Sequence, residues 1–412
     1  MKKPIIKNKF LIGLFLFISV ILILQFVVNT KYTFPEPHPF LGKYIYNPYR
    51  NINNQKWERA NFHAHTMKFL DPAKKVARST FVLDSLYRSF GYDIIGISDY
   101  QTINNYEIKN KWFVPEYEHG YQYYKNHQLV LNAKKISWLD YPFRQTLSNK
   151  QFVIDRLKKD TSAFIAIVHP AYRKALSNHD FKYLSNYNCL EIANHERLFN
   201  EFYDSILSNG HPVFVMADDD SHDMTDIKDI CSAYNMTNTD PIKDSVLKAL
   251  STGRSIAVKF NISSYKTNEE KRSALAKLPE INAIILKNDT LSVRLNQLVK
   301  TITFIGQDGL EKIRMTDSSV GSCYFSKEDT YLRTEIKCYD GTIYFLNPLI
   351  RWDGIRLTYY TPSVNVLKTW IWRSALIILL LITFIMTIRN DTYKNQKRLK
   401  INLFTPAPRG VN

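Results

Sequence analysis

The chain has 412 residues, is 45% apolar and 14% aromatic, and carries a formal net charge of +17. That length and apolar content exclude a globally disordered chain and predict two domains, or one large domain with additions. The charge does not make the chain a nucleic-acid binder: four lysines lie in the first nine residues and a net five positive charges after Ile388, with no basic stripe between. No nucleic-acid partner is expected.

Residues 1–9 read as a basic tail. Phe10 to Val28 follows, 19 residues without a charge, and residues 10–29 are expected to form a membrane-spanning helix. Thr369 to Ile388 is 20 residues with one charge, Arg373, and Trp370 and Trp372 stand where an interfacial aromatic belt is expected. Residues 368–388 therefore predict a second spanning helix, and 389–412 a second basic tail. Lysine and arginine bias at both ends puts both termini in the cytoplasm and the middle outside it. Without a Cys-x-x-Cys motif a zinc ribbon is excluded. Cys323 and Cys338, 15 residues apart, predict either a disulfide or two buried thiols.

Between the apolar runs, residues 30–56 are rich in Pro, Asn and Tyr and read as a linker. From 57 to 258, strand-like runs (WERANFHAH, DIIGISD, one within HQLVLNAKKISW, AFIAIVHP, CLEIANH, PVFVMADDD) alternate with helical patterns near Ser79–Phe90, Asn149–Lys159, Leu198–Ser208 and SVLKALSTG, the last ending in Gly253. Such alternation predicts βα units and a parallel sheet or barrel. From 259 to 363 short alternating runs appear (INAIILKND, TLSVRLN, TITFIGQDG, YLRTEIKCYDG, TIYFLNPLIRW), broken by Asp-Gly and Asn-Asp turns. This predicts a small β-sandwich.

Metal-type residues gather where the strands of 57–258 end. His63 and His65 close the first strand, and an extended His-x-His turns both imidazoles to one side. Asp99 ends DIIGISD, His169 ends AFIAIVHP, and Asp220 and His222 follow PVFVMADDD. In βα barrels such ends share one rim, where active sites sit. Mixed imidazole and carboxylate ligands suit Mn²⁺, Zn²⁺ or Fe²⁺.

The pieces FHAHT, GYDIIGISDYQT, YEHG…HQLVL, IVHP, LEIANHE…FYDSILSNG and ADDDSH occur in the order of the motifs of the polymerase and histidinol phosphatase (PHP) superfamily. They resemble its His-x-His, Thr/Ser-Asp-His, Glu…His-Leu-Leu-Gly, His-Pro, Glu-x-x-Asn and Asp-x-His motifs. The resemblance covers residues 57 to 258. It implies an α/β fold, a distorted (β/α)7 barrel, with two or three divalent ions. The following region resembles the appended sandwich of the carbaryl-hydrolase-like branch. Carried over residue by residue, the ligands are His63, His65, Asp71, Asp99, Glu118, His127, His169, Asp220 and His222, with His169 and His222 also stabilising charge in catalysis. Asp71 matches either an acidic ligand or a helix N-cap before Pro72, and Glu116 competes with Glu118. Asp218 and Asp219 are spare carboxylates behind the ligands, and Glu191 and Asn194 read as structural. Ser98-Asp99-Tyr100 departs from the family, which has His where Tyr100 stands. Either Asp99 or the phenol ligates there, or one metal is missing. His38, His119, His179, His195 and His211 fit no motif and read as satisfied loop or surface histidines.

The expected function is a membrane-anchored, metal-dependent hydrolase of a small phosphoester, using a metal-activated water. Two alternatives stand beside it. One is hydrolysis of a carboxylic or carbamic ester on the same site; the other is a catalytically lapsed binding module outside the cytoplasm.

Overall fold

The computed structural model describes residues 5–53, 56–66, 79–195, 197–355, 357 and 360–404. Asp71, a candidate ligand, lies outside the described residues. The strands in chain order are β1 (Tyr32–Thr33), β2 (Tyr44–Tyr46), β3 (Glu58–Asn61), β4 (Ile94–Ile95), β5 (Glu116–His119), β6 (Gln128–Leu131), β7 (Phe164–Ile167), β8 (Cys189–Asn194), β9 (Arg197–Leu198) and β10 (Phe214–Asp218). They continue with β11 (Ala233–Thr237), β12 (Ser255–Lys259), β13 (Ile281–Lys287), β14 (Thr290–Ile305), β15 (Glu311–Tyr324), β16 (Tyr331–Lys337), β17 (Ile343–Trp352) and β18 (Ser363–Val364). The α-helices are α1 (Ile5–Leu22), α2 (Thr80–Ser89), α3 (Leu147–Leu157), α4 (Asn178–Tyr183), α5 (Asn200–Ser208), α6 (Lys243–Ser251), α7 (Asn268–Leu275) and α8 (Val366–Phe404).

The chain forms two compact units. The first comprises Met1–Thr33, Tyr141–Phe152 and Ser363–Asn412; the second comprises Phe34–Asp140 and Val153–Pro362. In the first, α8 contains Val366–Arg389, 24 residues long and apolar enough to cross a membrane. The N-terminal run differs from expectation. Its apolar helix among the described residues, Ile12–Val27, is shorter, 16 residues or about 24 Å against ~30 Å of hydrocarbon. It ends in a π-helical turn, Ile23–Val27. There the Gln25 side chain accepts from Phe143 N–H at 3.1 Å and donates to the Arg144 carbonyl at 3.4 Å. One spanning helix among the described residues, not two, therefore meets the length requirement. The two helices still pair: Phe15 stacks on Phe384 at 5.9 Å, and Arg373 donates to the Val27 carbonyl at 2.8 Å.

The second unit is a mixed α/β body. It holds a sheet ordered β10-β8-β7-β6-β5, with β9 beside β8, and a longer sheet running β13-β14-β16-β17-β12-β11-β3-β4, with β15 beside β14 and β2 beside β17. The expected all-parallel arrangement holds only for β7–β8, β8–β10 and β3–β4. β6 runs antiparallel to both neighbours; only residues 120–127 separate it from β5, too few for a helical crossover. The ladders do not close into a barrel. The two sheets meet instead at two isolated parallel bridges, Ala64–Ser221 and Tyr100–Glu118.

The expected separate sandwich is also corrected. β17 pairs with β12 from Ile256–Leu346 to Lys259–Ile343, so the later strands prolong the sheet that holds β3. TLSVRLN and TITFIG are one strand, β14, rather than two. The stretch read as a linker carries β2, which pairs with β17. All four cysteines are free and buried, which selects buried thiols over a Cys323–Cys338 disulfide. The core runs through both sheets, from Phe62, Leu83 and Ile94 to Val299, Ile302 and Phe304.

Candidate metal centre

The His-x-His stretch follows β3 in extended form. His65 N–H donates to the Ser221 carbonyl at 2.9 Å, and Ser98 N–H donates to the Ala64 carbonyl at 2.9 Å. Alternation then sorts the side chains: Phe62 and Ala64 enter the core, and His63 and His65 face the opposite way. Asp218 pins this register by accepting from Phe62 N–H at 2.7 Å and from Asn235 Nδ2 at 3.0 Å.

Glu118 is the hub. Its Oε2 lies 3.2 Å from His65 Nε2 and 3.6 Å from His63 Nε2. Its Oε1 lies 2.5 Å from His127 Nδ1 and 3.0 Å from His169 Nε2. Asp220 Oδ1 stands 3.2 Å from both His63 Nε2 and His65 Nε2. Two sets of ligand atoms capable of holding a metal result, His63/His65/Glu118/Asp220 and Glu118/His127/His169, and Glu118 belongs to both. His127 precedes its strand rather than ending one. It reaches the rim because β6 is reversed, so the start of β6 lies beside the end of β5. Gly120 (φ 121°) makes room: a Cβ there would come within 2.5 Å of His127 Cδ2.

The residues fit a bound metal by an internal test. His63 Nε2, His65 Nε2, Glu118 Oε2, His127 Nε2 and Asp220 Oδ1 are buried with no hydrogen-bond partner. Leaving so many buried polar atoms orphaned is costly unless a ligand satisfies them. The histidine orientation is set from behind. Glu191 Oε1 accepts from His63 Nδ1 at 3.0 Å, which orients the ring with Nε2 toward Glu118 and Asp220. The other Glu191 oxygen accepts from His169 N–H at 2.6 Å and Asn194 Nδ2 at 3.0 Å.

The charges are arranged for cations. Burial alone would raise Glu118, but His127 and His63 hold it well below the usual carboxylate range. Asp220 is likewise held well below by His63 and His222 against burial. Burial lowers His65, yet Asp220 and Glu118 overcome it and hold the imidazole at about 9. A metal entering here displaces protons.

Other sequence candidates fall elsewhere. Asp99 accepts from Thr66 N–H at 2.7 Å, Thr66 Oγ1 at 2.6 Å and Asn104 Nδ2 at 3.2 Å, so it fastens the chain after His65 and joins neither ligand set. Glu116 lies two residues behind Glu118, is buried, and is pushed well up by burial and Asp218. Asp219 accepts from Cys231, Ser232 and Ala233 N–H and anchors that turn. His222 also joins neither set. Its Nδ1 lies 2.6 Å from the Asp220 carbonyl, which can only accept, so the neutral ring accepts at Nε2 from the Tyr100 hydroxyl at 3.3 Å. Tyr100 itself stacks on His65, with centroids 4.4 Å apart at 13°.

Above the hub opens a pocket of about 420 Å³ lined by Tyr100, Lys125, His169, Tyr172, Asn194, His195, Arg197, Asp220 and His222. Lys125, His169, His195 and Asp220 all have positive φ. Such strain concentrates where a site must be held in one shape. His195 was passed over in the sequence although it follows the end of β8, the rule that selected His169. Lys125, Tyr172 and Arg197 carry no local signal. His119 and His211 are satisfied by backbone or amide partners, but both are buried and His119 lies in β5 rather than in a loop or on the surface.

No family model matches this chain, and no curated protein matches it. Among solved structures, PsfC from Pseudomonas syringae PB-5123 is similar over 54% of this chain and 96% of its own, at 10% identity and a TM-score of 0.32.

Proposed function

We propose that this protein is a membrane-anchored, metal-dependent hydrolase of phosphoesters, of the PHP type. On this reading the ring β3-β4-β5-β6-β7-β8-β10, joined at its two bridges, is a distorted barrel. The carrying observation is Glu118, whose Oε2 faces the unpartnered Nε2 atoms of His63 and His65 while its Oε1 engages His127 Nδ1 and His169 Nε2. Bound there, two divalent ions, Mn²⁺, Zn²⁺ or Fe²⁺, would draw charge from a phosphoryl group and acidify water. Tyr100 in place of histidine, engaged with His222, favours two ions over three.

The chain's own residues do the rest. Glu191 and Asp218 hold His63 and the strand behind it, so the ligand atoms are presented without reorganisation. His169 lines the pocket and accepts or donates at Nδ1, which is otherwise unpartnered. His222 and Tyr100 form a hydrogen-bonded pair at the pocket wall, placed to steady charge that develops on the substrate. Hydrolysis consumes one water: a new O–P bond forms, the P–O bond to the alcohol breaks, and the alcohol oxygen takes a proton. The cationic wall of Lys125 and Arg197 favours an anionic phosphoester over a neutral carboxylic or carbamic ester. α8 supplies the anchor, with α1 packed on it, both basic termini cytoplasmic and the pocket outside.

The test is elemental analysis of the purified full chain after metal loading, followed by turnover of aryl phosphates and aryl esters. Two ions per chain with phosphate turnover is the expected result. No bound metal would sink the reading and leave a binding module; ester turnover alone would transfer it to the ester hydrolase.

A further inference from the structure

Lys125 and Arg197 are the lysine and arginine of the pocket lining, and neither belongs to the metal centre. Lys125 Nζ lies 5.0 Å from the centre of the Tyr100 ring, and Tyr100 stacks on His65. The Arg197 guanidinium lies 4.7 Å from the Tyr172 ring, and Tyr172 stands 6.0 Å from His169. Each cation therefore rests on an aromatic ring that abuts a ligand histidine. Neither side chain is paired with a carboxylate among the described residues. The neighbouring Arg173 differs, because it is spent on the Tyr123 carbonyl at 2.9 Å. Lys125 is further held at φ 61°, which a lysine does not adopt without local enforcement. A cation resting on an aromatic face keeps its charge and is still free to take an anion.

We propose that the substrate bears a second anionic group, a carboxylate or a second phosphate, on its leaving group, and that Lys125 and Arg197 hold this group while the scissile phosphoryl group lies at the Glu118 centre. This rests on the phosphoesterase reading. The positions argue for it: each cation rests on an aromatic ring, Tyr100 or Tyr172, that itself abuts a ligand histidine, so both line the one pocket beside the metal centre. The body of the substrate then lies between Tyr100 and Tyr172. A volume of about 420 Å³ admits a small alkyl phosphate rather than a polymer.

The experiment uses the metal-loaded full chain in detergent micelles. Calorimetric titration compares phosphonoacetate with ethylphosphonate, neither of which can be hydrolysed. Turnover compares phosphoglycolate and ethylene glycol bisphosphate with ethyl phosphate. Binding of phosphonoacetate is expected to be tighter by about tenfold or more, as for a charge-assisted contact. Lys125→Ala and Arg197→Ala should each erase most of that preference, and Lys125→Arg should keep it. The better of phosphoglycolate and the bisphosphate identifies the second group. Equal binding of the two phosphonates, or a preference that survives both alanine variants, overturns the proposal. A binding preference of the expected form, with no phosphate ester cleaved, keeps the assignment of the two cations and overturns the phosphoesterase reading instead.

Discussion

Two parts of the second unit use positive φ for different ends. Along the long antiparallel strands from β13 onward, the non-glycine residues with positive φ are Asn288, Asp289, Asp308 and Asp317. All are residue types that tolerate that conformation at turns. Around the pocket they include Lys125, His169, Arg173 and His195, where the residue was chosen for its side chain and the backbone bears the strain. The buried groups differ in the same sense. β14 buries Val299, Ile302 and Phe304, whereas the rim buries His63, His65, Glu118 and His127. One region is organised to be stable, and the other holds charged groups that a stable core would exclude.

That contrast makes quantitative predictions. The largest effect is expected at the rim. Glu118→Gln removes the carboxylate common to both ligand sets, so elemental analysis should show both ions lost and turnover should fall by at least about 100-fold. Loss of only one ion would show that Glu118 is not shared.

A smaller effect is expected away from the site. Burial holds His211 down at about 4, only partly offset by its bond to the Lys182 carbonyl. Its folded value lies below the unfolded value of about 6.5, so the unfolded chain takes up the proton first. Stability is therefore lost as pH falls from about 6.5 toward 4, by up to about 3 kcal/mol. Thermal melts across that range should show His211→Gln losing less than the wild type. Parallel curves would refute the assignment.

The smallest effect belongs to the turns. Asn288→Val places a β-branched residue at φ 50° and should cost about 1–2 kcal/mol, leaving metal content unchanged. A change in metal content would mean that the two regions are coupled.

Much of the local structure was legible. SVLKALS and the Ser79–Phe90 pattern are helices, now Lys243–Ser251 and Thr80–Ser89, because apolar spacing near 3.6 needs only neighbours along the chain. The strand runs were legible for the same reason. Their partners were not. Nothing in INAIILK or YLRTEIK indicates that these strands extend the sheet holding β3, since that depends on β12 meeting β17. The N-terminal apolar run was read by composition, while its end is set by Gln25 reaching residues 143 and 144.

The site divides along the same line. Composition and spacing determined that His63 and His65 share a side, that histidines and carboxylates collect at strand ends, and that α8 is long and apolar enough to cross a membrane. The tertiary structure decided which of them meet. It chose Glu118 over Glu116, turned Asp99 to Thr66 and His222 to Tyr100, and brought His127 to the rim on a reversed strand. It also raised Lys125 and Arg197 over the pocket. Periodicity is a property of neighbouring residues, whereas coordination and electrostatic coupling fall off over a few ångströms between residues a hundred positions apart. Only folding fixes those distances.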